Sequence, residues 1–239
     1  MYDESPLTHG AALWHSYDAR AALIPADGCV DLILRGDEVA VAGPSTRSIA
    51  TEADGGEGTL GVRLAPGTGA RALGVDLGEI SDRLVPLADL VGPPEVRRWR
   101  GVLLETRATA TASPDLVERA LRPGEGWADA VRARAAGGVS AEDVARELGW
   151  SERTFRRRMG QAFGYGYATL VRIRRGQHAH RLLTKGVTPA EAAARAGYAD
   201  QPHLSRELRR LAGVSPAQLV GASSANRSTA LPSGSSSVA

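Results

Sequence analysis

The chain has 239 residues, 43% of them hydrophobic and 23% charged, which is ordinary for a soluble protein and long enough for one large domain or two small ones. Its single cysteine excludes an internal disulfide, and no Cys/His cluster offers zinc spacing, so neither a metal nor another cofactor is expected. The net charge of +2 hides an asymmetry: residues 1–125 carry 12 Arg against 19 Asp and Glu, whereas residues 126–222 carry 16 Lys and Arg against 8 acids. An acidic front half joined to a basic back half points to a polyanionic partner for the back half alone. The N-terminus, MYDESPLTHG, is acidic and has no apolar h-region, and no run approaches the ~18 apolar residues of a membrane span. These features predict a cytoplasmic protein without a membrane partner.

The front half reads as strands and turns. ALWHSY, RAALIP, CVDLIL, EVAVAG and TLGVRL are short apolar runs separated by Gly, Pro and Asp, with Gly36-Asp37 a hairpin turn between two of them. They predict a small β-barrel or sandwich. Cys29 alternates with apolar neighbours in this stretch and reads as a small buried hydrophobe. Trp14, His15 and Tyr17 read as strand residues that pack or lie half exposed. The loop TEADGGEGTLG, Thr51 to Gly61, lacks the Lys of a phosphate loop and carries acids that would repel phosphate, so it reads as a mobile hairpin loop. Beyond Pro66-Gly67 the pattern turns helical, in EISDRL, EVRRWRGVLLETRA and SPDLVERAL, where Ser113-Pro114 makes a cap and first-turn pair. These helices are expected to cover the strands or form a dimer surface. RPGEGW, Arg122 to Trp127, reads as the linker.

From Trp127 onward the sequence is helical and says the same thing twice. VSAEDVARELG, Val139 to Gly149, matches VTPAEAAARAG, Val187 to Gly197, 48 residues later. Ser140 and Thr188 are N-caps with Asp143 and Glu191 at capping-box spacing, Pro189 suits a first helical turn, and Ala145 and Ala193 leave room for a crossing helix. Gly149 and Gly197 supply a positive-φ turn. Each turn leads into a basic amphipathic helix. In WSERTFRRRMGQAFG, Ser151 caps and Phe155, Met159 and Phe163 share a face; in GYADQPHLSRELRRLAGVSP, Leu204, Leu208 and Leu211 do so. A capped helix, a Gly turn and a basic second helix make up a helix-turn-helix, whose second member enters the major groove. One copy is a weak signal, and two spaced copies are a strong one. YATLVRIRRGQHAHRLLTKG, Tyr167 to Gly186, reads as a long helix joining them, with Leu170, Ile173, His180 and Leu183 in its apolar or ambiguous positions. His178 and His180, two apart, cannot share a helix face and are a poor metal pair. The fold class expected is therefore α+β: an N-terminal small β-barrel or sandwich with covering helices, residues 1–125, then an all-α domain of two helix-turn-helix units joined by a long helix, residues 126–222. The Ser-rich remainder, residues 223–239, has too little apolar content to offset its ordering entropy and is expected to be disordered.

This arrangement resembles the AraC family of bacterial transcription regulators, over Trp127 to about Leu219. The most specific part is G-Y-A-D-Q-x-H-L-S-R-E-L-R-R-L-x-G-V-S-P, which looks like the C-terminal signature of that family. Leu219-Val220 depart from it where many members carry an aromatic and an Arg. DGCVDLIL, the Gly-Pro after the next strand, GVRLAPG and VPLADLVG more weakly resemble an uncharacterised sensor-type domain that precedes this module in some members. The resemblance implies a sequence-specific regulator whose recognition helices, about 151–163 and 201–212, read adjacent major-groove segments of double-stranded promoter or operator DNA. It implies DNA contact by Ser151, Arg153, Thr154, Arg156, Arg157 and Arg158 in the first helix. In the second it implies contact by Gln201, His203, Ser205, Arg206 and Arg209, with Arg210 behind. Arg153 and Arg156 are assigned to bases, Arg157 to base or phosphate, and Arg158 to the backbone. Gln201 suits adenine, and Arg206 suits guanine. RNA polymerase, a small-molecule effector on the N-terminal domain and a second copy of the chain are the further partners that the resemblance leaves open. No enzyme activity is expected. An alternative places an enzyme or thiol sensor at Cys29 with DNA binding as delivery, and a third reading is a non-specific architectural binder.

Overall fold

The computed structural model describes residues 2–17, 22–51, 58–108, 114–121 and 126–219. The chain is α+β, with an antiparallel sheet first and a helical region after it. The strands are β1 (Tyr2–Pro6), β2 (Ala12–Ser16), β3 (Ala22–Ile24), β4 (Val30–Arg35), β5 (Glu38–Ala42), β6 (Ile49–Thr51), β7 (Thr59–Leu64) and, after helix α1 (Gly69–Leu73), β8 (Leu84–Pro86). Six of them form one sheet in the order β1-β2-β7-β4-β5-β8, and β3 pairs with β6 in a separate two-stranded ribbon. Gly36-Asp37 turns β4 into β5, with Arg35 paired to Glu38.

Alternation along the strands decides which face is core. Val30, Leu32 and Leu34 of β4 lie beside Leu60, Val62 and Leu64 of β7 and Val39 and Val41 of β5, all buried. Helix α2 (Pro93–Ala108) covers this face with Trp99 and Leu103, and α3 (Pro114–Ala120) adds Val117. The opposite face carries the polar alternates, among them Asp31 and Arg63, which pair across β4 and β7.

Two readings of the front half need correction. EISDRL is not helical: a 3-10 turn spans Leu77–Glu79, Asp82 takes a left-handed φ of 57°, and β8 follows. The cause is side-chain competition with the helix ladder. Asp76 accepts from the Gly78 amide at 2.8 Å, and Asp82 accepts from both the amide and the hydroxyl of Thr46 at 2.7 Å. Nor does the glycine-rich stretch after Thr51 close a hairpin, because β6 pairs with β3 whereas β7 pairs with β2 and β4. Residues 52–57, Ser113, residues 122–125 of the expected linker and the tail 223–239 lie outside the described residues.

The helical region comprises α4 (Gly126–Ala136), α5 (Ala141–Glu147), α6 (Glu152–Phe163), α7 (Tyr167–Thr184), α8 (Pro189–Arg195) and α9 (Gln201–Ala212). Two small cores hold it. One joins Val131, Val144, Phe155, Met159, Phe163, Leu170 and Ile173, and it also takes in Ala26 from the front half and Leu211. The other joins Ala179, Leu183, Ala192, Ala193, Leu204 and Leu208. Helix α7 contributes to both, and its 18 residues span about 27 Å at ~1.5 Å per residue. Among the described residues no helix is long and apolar enough to cross a membrane.

Candidate nucleic-acid interface

The repeat in the sequence is a repeat of hydrogen bonds. Ser140 caps α5 by accepting from the Asp143 amide at 3.1 Å, and Thr188 caps α8 from Glu191 at 3.3 Å. The return half of the capping box is replaced: Asp143 takes the Ser140 hydroxyl at 2.7 Å, and Glu191 pairs with Arg195 at 2.6 Å. Both helices end in the same Schellman turn. The Trp150 amide donates to the Ala145 carbonyl at 2.9 Å and Gly149 to Arg146 at 3.0 Å; 48 residues later Tyr198 donates to Ala193 at 2.8 Å and Gly197 to Ala194 at 3.1 Å. Gly149 and Gly197 have φ of 69° and 74°, where a β-carbon would be strained. Ala145 and Ala193, 2% and 1% exposed, are buried in the first and second helical cores respectively.

These turns aim two basic helices. In α6, Ser151 accepts from the Thr154 amide at 3.2 Å, and the two hydroxyls lie 3.0 Å apart. Phe155, Met159 and Phe163 are buried, which leaves Glu152, Arg153, Arg156 and Arg157 exposed on the far side. Arg156 stands 3.8 Å from Glu152. Arg158 is half-buried, its guanidinium 4.3 Å above the Trp150 ring. In α9, Leu204, Leu208 and Leu211 are buried, and Gln201, Arg206, Arg209 and Arg210 are exposed. Ser205 donates its hydroxyl back to the Gln201 carbonyl at 2.9 Å, and His203 stands edge-on to Tyr198 with centroids 5.2 Å apart.

Sequence reasoning missed how α9 is held. Asp200 is its N-cap, accepting from the His203 amide at 2.6 Å, and an acid directly before Gln201-Pro202 was the available signal. From α7, Arg172 pairs with Glu207 at 2.9 Å, and Arg175 stacks 4.5 Å from the Tyr198 ring while donating to the Ala196 carbonyl at 3.1 Å. Nothing in a local pattern marks those arginines, because their partners lie on other elements.

The polar face of the sheet holds a different cluster. Arg63 stands 3.0 Å from Glu4, 3.3 Å from Asp27 and 3.4 Å from Asp31, and the Trp14 indole donates to Asp31 at 2.7 Å. Burial lifts the Asp31 carboxyl to about 6, with Asp27 adding to the rise and Arg63 opposing it. The folded value lies above the ordinary 3.8, so ionised Asp31 costs stability that grows as pH rises from 3.8 and is complete above about 6. Asp31→Asn keeps an acceptor for the indole. It is expected to melt above wild type at about pH 8 and to lose that advantage as pH falls toward about 4. A pH series of melting temperatures checks this, and an advantage that stays flat with pH would sink it. Beside the cluster, burial first and then Asp27 push the Cys29 thiol well above its usual range, the reverse of what a nucleophilic thiolate needs. Among the described residues no group of His, Cys, Asp and Glu could hold a metal ion.

No curated protein matches the chain. Among solved structures it is similar to the C-terminal domain of AraT, a response regulator from Geobacillus stearothermophilus, with 25% identity over 41% of this chain and 85% of that one and a TM-score of 0.37. It is similar to a probable AraC family transcriptional regulator from Rhodopseudomonas palustris CGA009, with 23% identity over 41% of this chain and 98% of that one and a TM-score of 0.38. ToxT from Vibrio cholerae has 10% identity over 92% of this chain and 98% of its own, with a TM-score of 0.45. Two family models match: residues 144–221 match a Helix-turn-helix domain, and residues 11–86 match a Domain of unknown function (DUF6597). The chain thus carries a helix-turn-helix domain over residues 144–221, behind an N-terminal domain of a kind whose function is unknown over residues 11–86.

Proposed function

We propose that the chain is a sequence-specific regulator that reads two successive major-groove segments with one protomer, using the N-terminal turns of α6 and α9. The observation that carries this is the duplicated Schellman turn, which repeats the same hydrogen bonds 48 residues apart and sets an arginine-bearing helix behind each copy. Helix α7, about 27 Å long, is close to the ~34 Å between major-groove faces on one side of a duplex. Residues 126–222 form the DNA-binding domain in this reading and residues 1–125 the regulatory one, which matches their opposite charge.

Arg153 and Arg156 are the base readers of α6, Arg157 reaches base or phosphate, and Ser151 and Thr154 approach the backbone at the helix start. Arg158, stacked on Trp150, has less freedom than its neighbours and serves the backbone. In α9, Gln201 and Arg206 are the exposed candidates for adenine and guanine, with His203 and Ser205 beside them and Arg209 and Arg210 toward the phosphates. Arg206→Ala is expected to weaken the cognate site by about 1 to 3 kcal/mol and to relax one base position. A binding selection on randomised DNA measures both, and an unchanged sequence preference removes Arg206 from the readout. The first region touches both units, so a small molecule that favours one packing of it would alter the reading faces. Cys29→Ser tests the alternative of thiol chemistry, which requires that regulation be lost with the sulfur.

A further inference from the structure

Both recognition helices are gripped at their C-terminal ends by the N-terminal region. The last turn of any helix leaves carbonyls without intrahelical partners. In α9 the first such carbonyl, that of Arg209, accepts from the Gly213 amide at 2.9 Å. The next two are taken by the front half: Arg210 accepts from the Ser48 amide at 3.2 Å, and Leu211 from the Ala26 amide at 2.6 Å. Ala26 and Ser48 flank the β3–β6 ribbon, one just after β3 and the other just before β6. The seat is close: a β-carbon at Gly213 would stand 2.0 Å from Leu23 Cδ2 and 3.2 Å from Ser48 Oγ.

The end of α6 is held by different residues in the same sense. Phe163 lies against Gly67, where a β-carbon would come within 2.5 Å of the ring. Gly164, the C-cap, faces Pro44 and the Leu77 carbonyl, with a β-carbon 2.8 Å and 2.9 Å from them. Arg132 of α4 adds a bond of 2.7 Å to the Pro66 carbonyl. In both helices the N-terminal turns, with Arg153 and Arg156 in one and Gln201 and Arg206 in the other, stay exposed.

We propose that the N-terminal domain is a positioning element for DNA recognition: by capping α9 through the β3–β6 ribbon and seating α6 on residues 67 and 77, it fixes the separation of the two reading faces. The inference rests on the DNA reading above. It assigns Leu23, Ala26 and Ser48 a role in specificity without contact with DNA. Helix α7 holds the middle of α9 through the Arg172–Glu207 pair and the core around Leu204 and Leu208. The ribbon adds a second hold at the far end of α9, so that its tilt on α7 is fixed as well.

The test uses the full chain and a set of operators in which the two half-sites are moved apart or together by about one base pair from the selected spacing. Wild type is expected to favour one spacing by roughly tenfold, a change of about 1.4 kcal/mol. Leu23→Asp, on a residue 39% exposed, and Ser48→Pro, which removes an amide donor, should each reduce that preference to about threefold or less while leaving the melting temperature near wild type. Leu23→Met should behave as wild type. Hydrogen exchange without DNA gives an independent readout, because losing the cap should speed exchange in residues 208–213. Variants with an unchanged spacing preference and unchanged exchange overturn the proposal. A wild type that selects no site overturns the DNA reading instead, and exchange in the last turn of α9 then decides the cap by itself.

Discussion

Leu204→Asp is expected to unfold the second helix-turn-helix unit while the first unit and the sheet stay folded. Leu204 is 0% exposed and packs among Ala179, Leu183, Ala192, Ala193, Ala196, Tyr198 and Leu208. Removing the leucine side chain from such a site costs about 2 to 5 kcal/mol, and burying a carboxylate without a partner adds several more. Four of those neighbours are alanines, which have no rotamers with which to fill or rearrange the space. The unit is separable because Leu204 and Leu208 belong to a core distinct from that of the first unit, to which it is joined through α7, Leu211 and the capped end of α9. Circular dichroism should show loss of helix, with rapid amide exchange confined to α8 and α9. Footprinting should show protection by α6 alone. Leu204→Met, which keeps volume and polarity, should cost under about 1.5 kcal/mol and retain both footprints. Native helix content together with intact exchange protection in the aspartate variant would overturn the assignment of this core.

The second unit was legible because each of its instructions is local. A Thr cap, a proline in the first turn, a glycine two residues past the helix end and leucines at helical spacing all act within about 12 residues, and each appears in the fold where the sequence puts it. β4, β5 and β7 were legible for the same reason, since alternation and a two-residue turn are short-range signals. β1 was not, because YDESP carries no apolar alternation and is a strand only by pairing with β2 along the sheet edge, where charge and proline are tolerated. EISDRL failed in the opposite way. Its apolar spacing fits a helix, but Thr46, more than 30 residues earlier, engages the Asp82 carboxylate and fixes a turn. The surroundings of α6 and α9 divide along the same line. Their exposed arginines follow from amphipathic spacing, whereas Arg172, Arg175 and the ribbon act through partners far away in sequence.

Phe163→Ala should be nearly as damaging and should act on a different joint. Phe163 is 0% exposed, with ring centroids 5.8 Å from Trp127 and 6.1 Å from Tyr165, and its ring fills the space over Gly67. Truncating a buried phenylalanine costs about 3 to 5 kcal/mol, toward the upper end where the surroundings cannot collapse into the gap. Here Gly67, with φ of 86°, lies on one side and two fixed aromatic rings on the other, so little can move in. The same ring connects the first unit to the sheet. Its loss should therefore divide one unfolding transition into two, with the N-terminal region melting separately from α4–α6. Phe163→Leu refills most of the volume and should recover a single transition at a cost of about 1 to 2 kcal/mol. Denaturant titration followed by both near-UV and far-UV signals distinguishes the outcomes. Coincident curves for the alanine variant, displaced by less than about 1 kcal/mol, would mean that the contact between α6 and Gly67 contributes little, and that α6 is oriented by α4 and α7 instead.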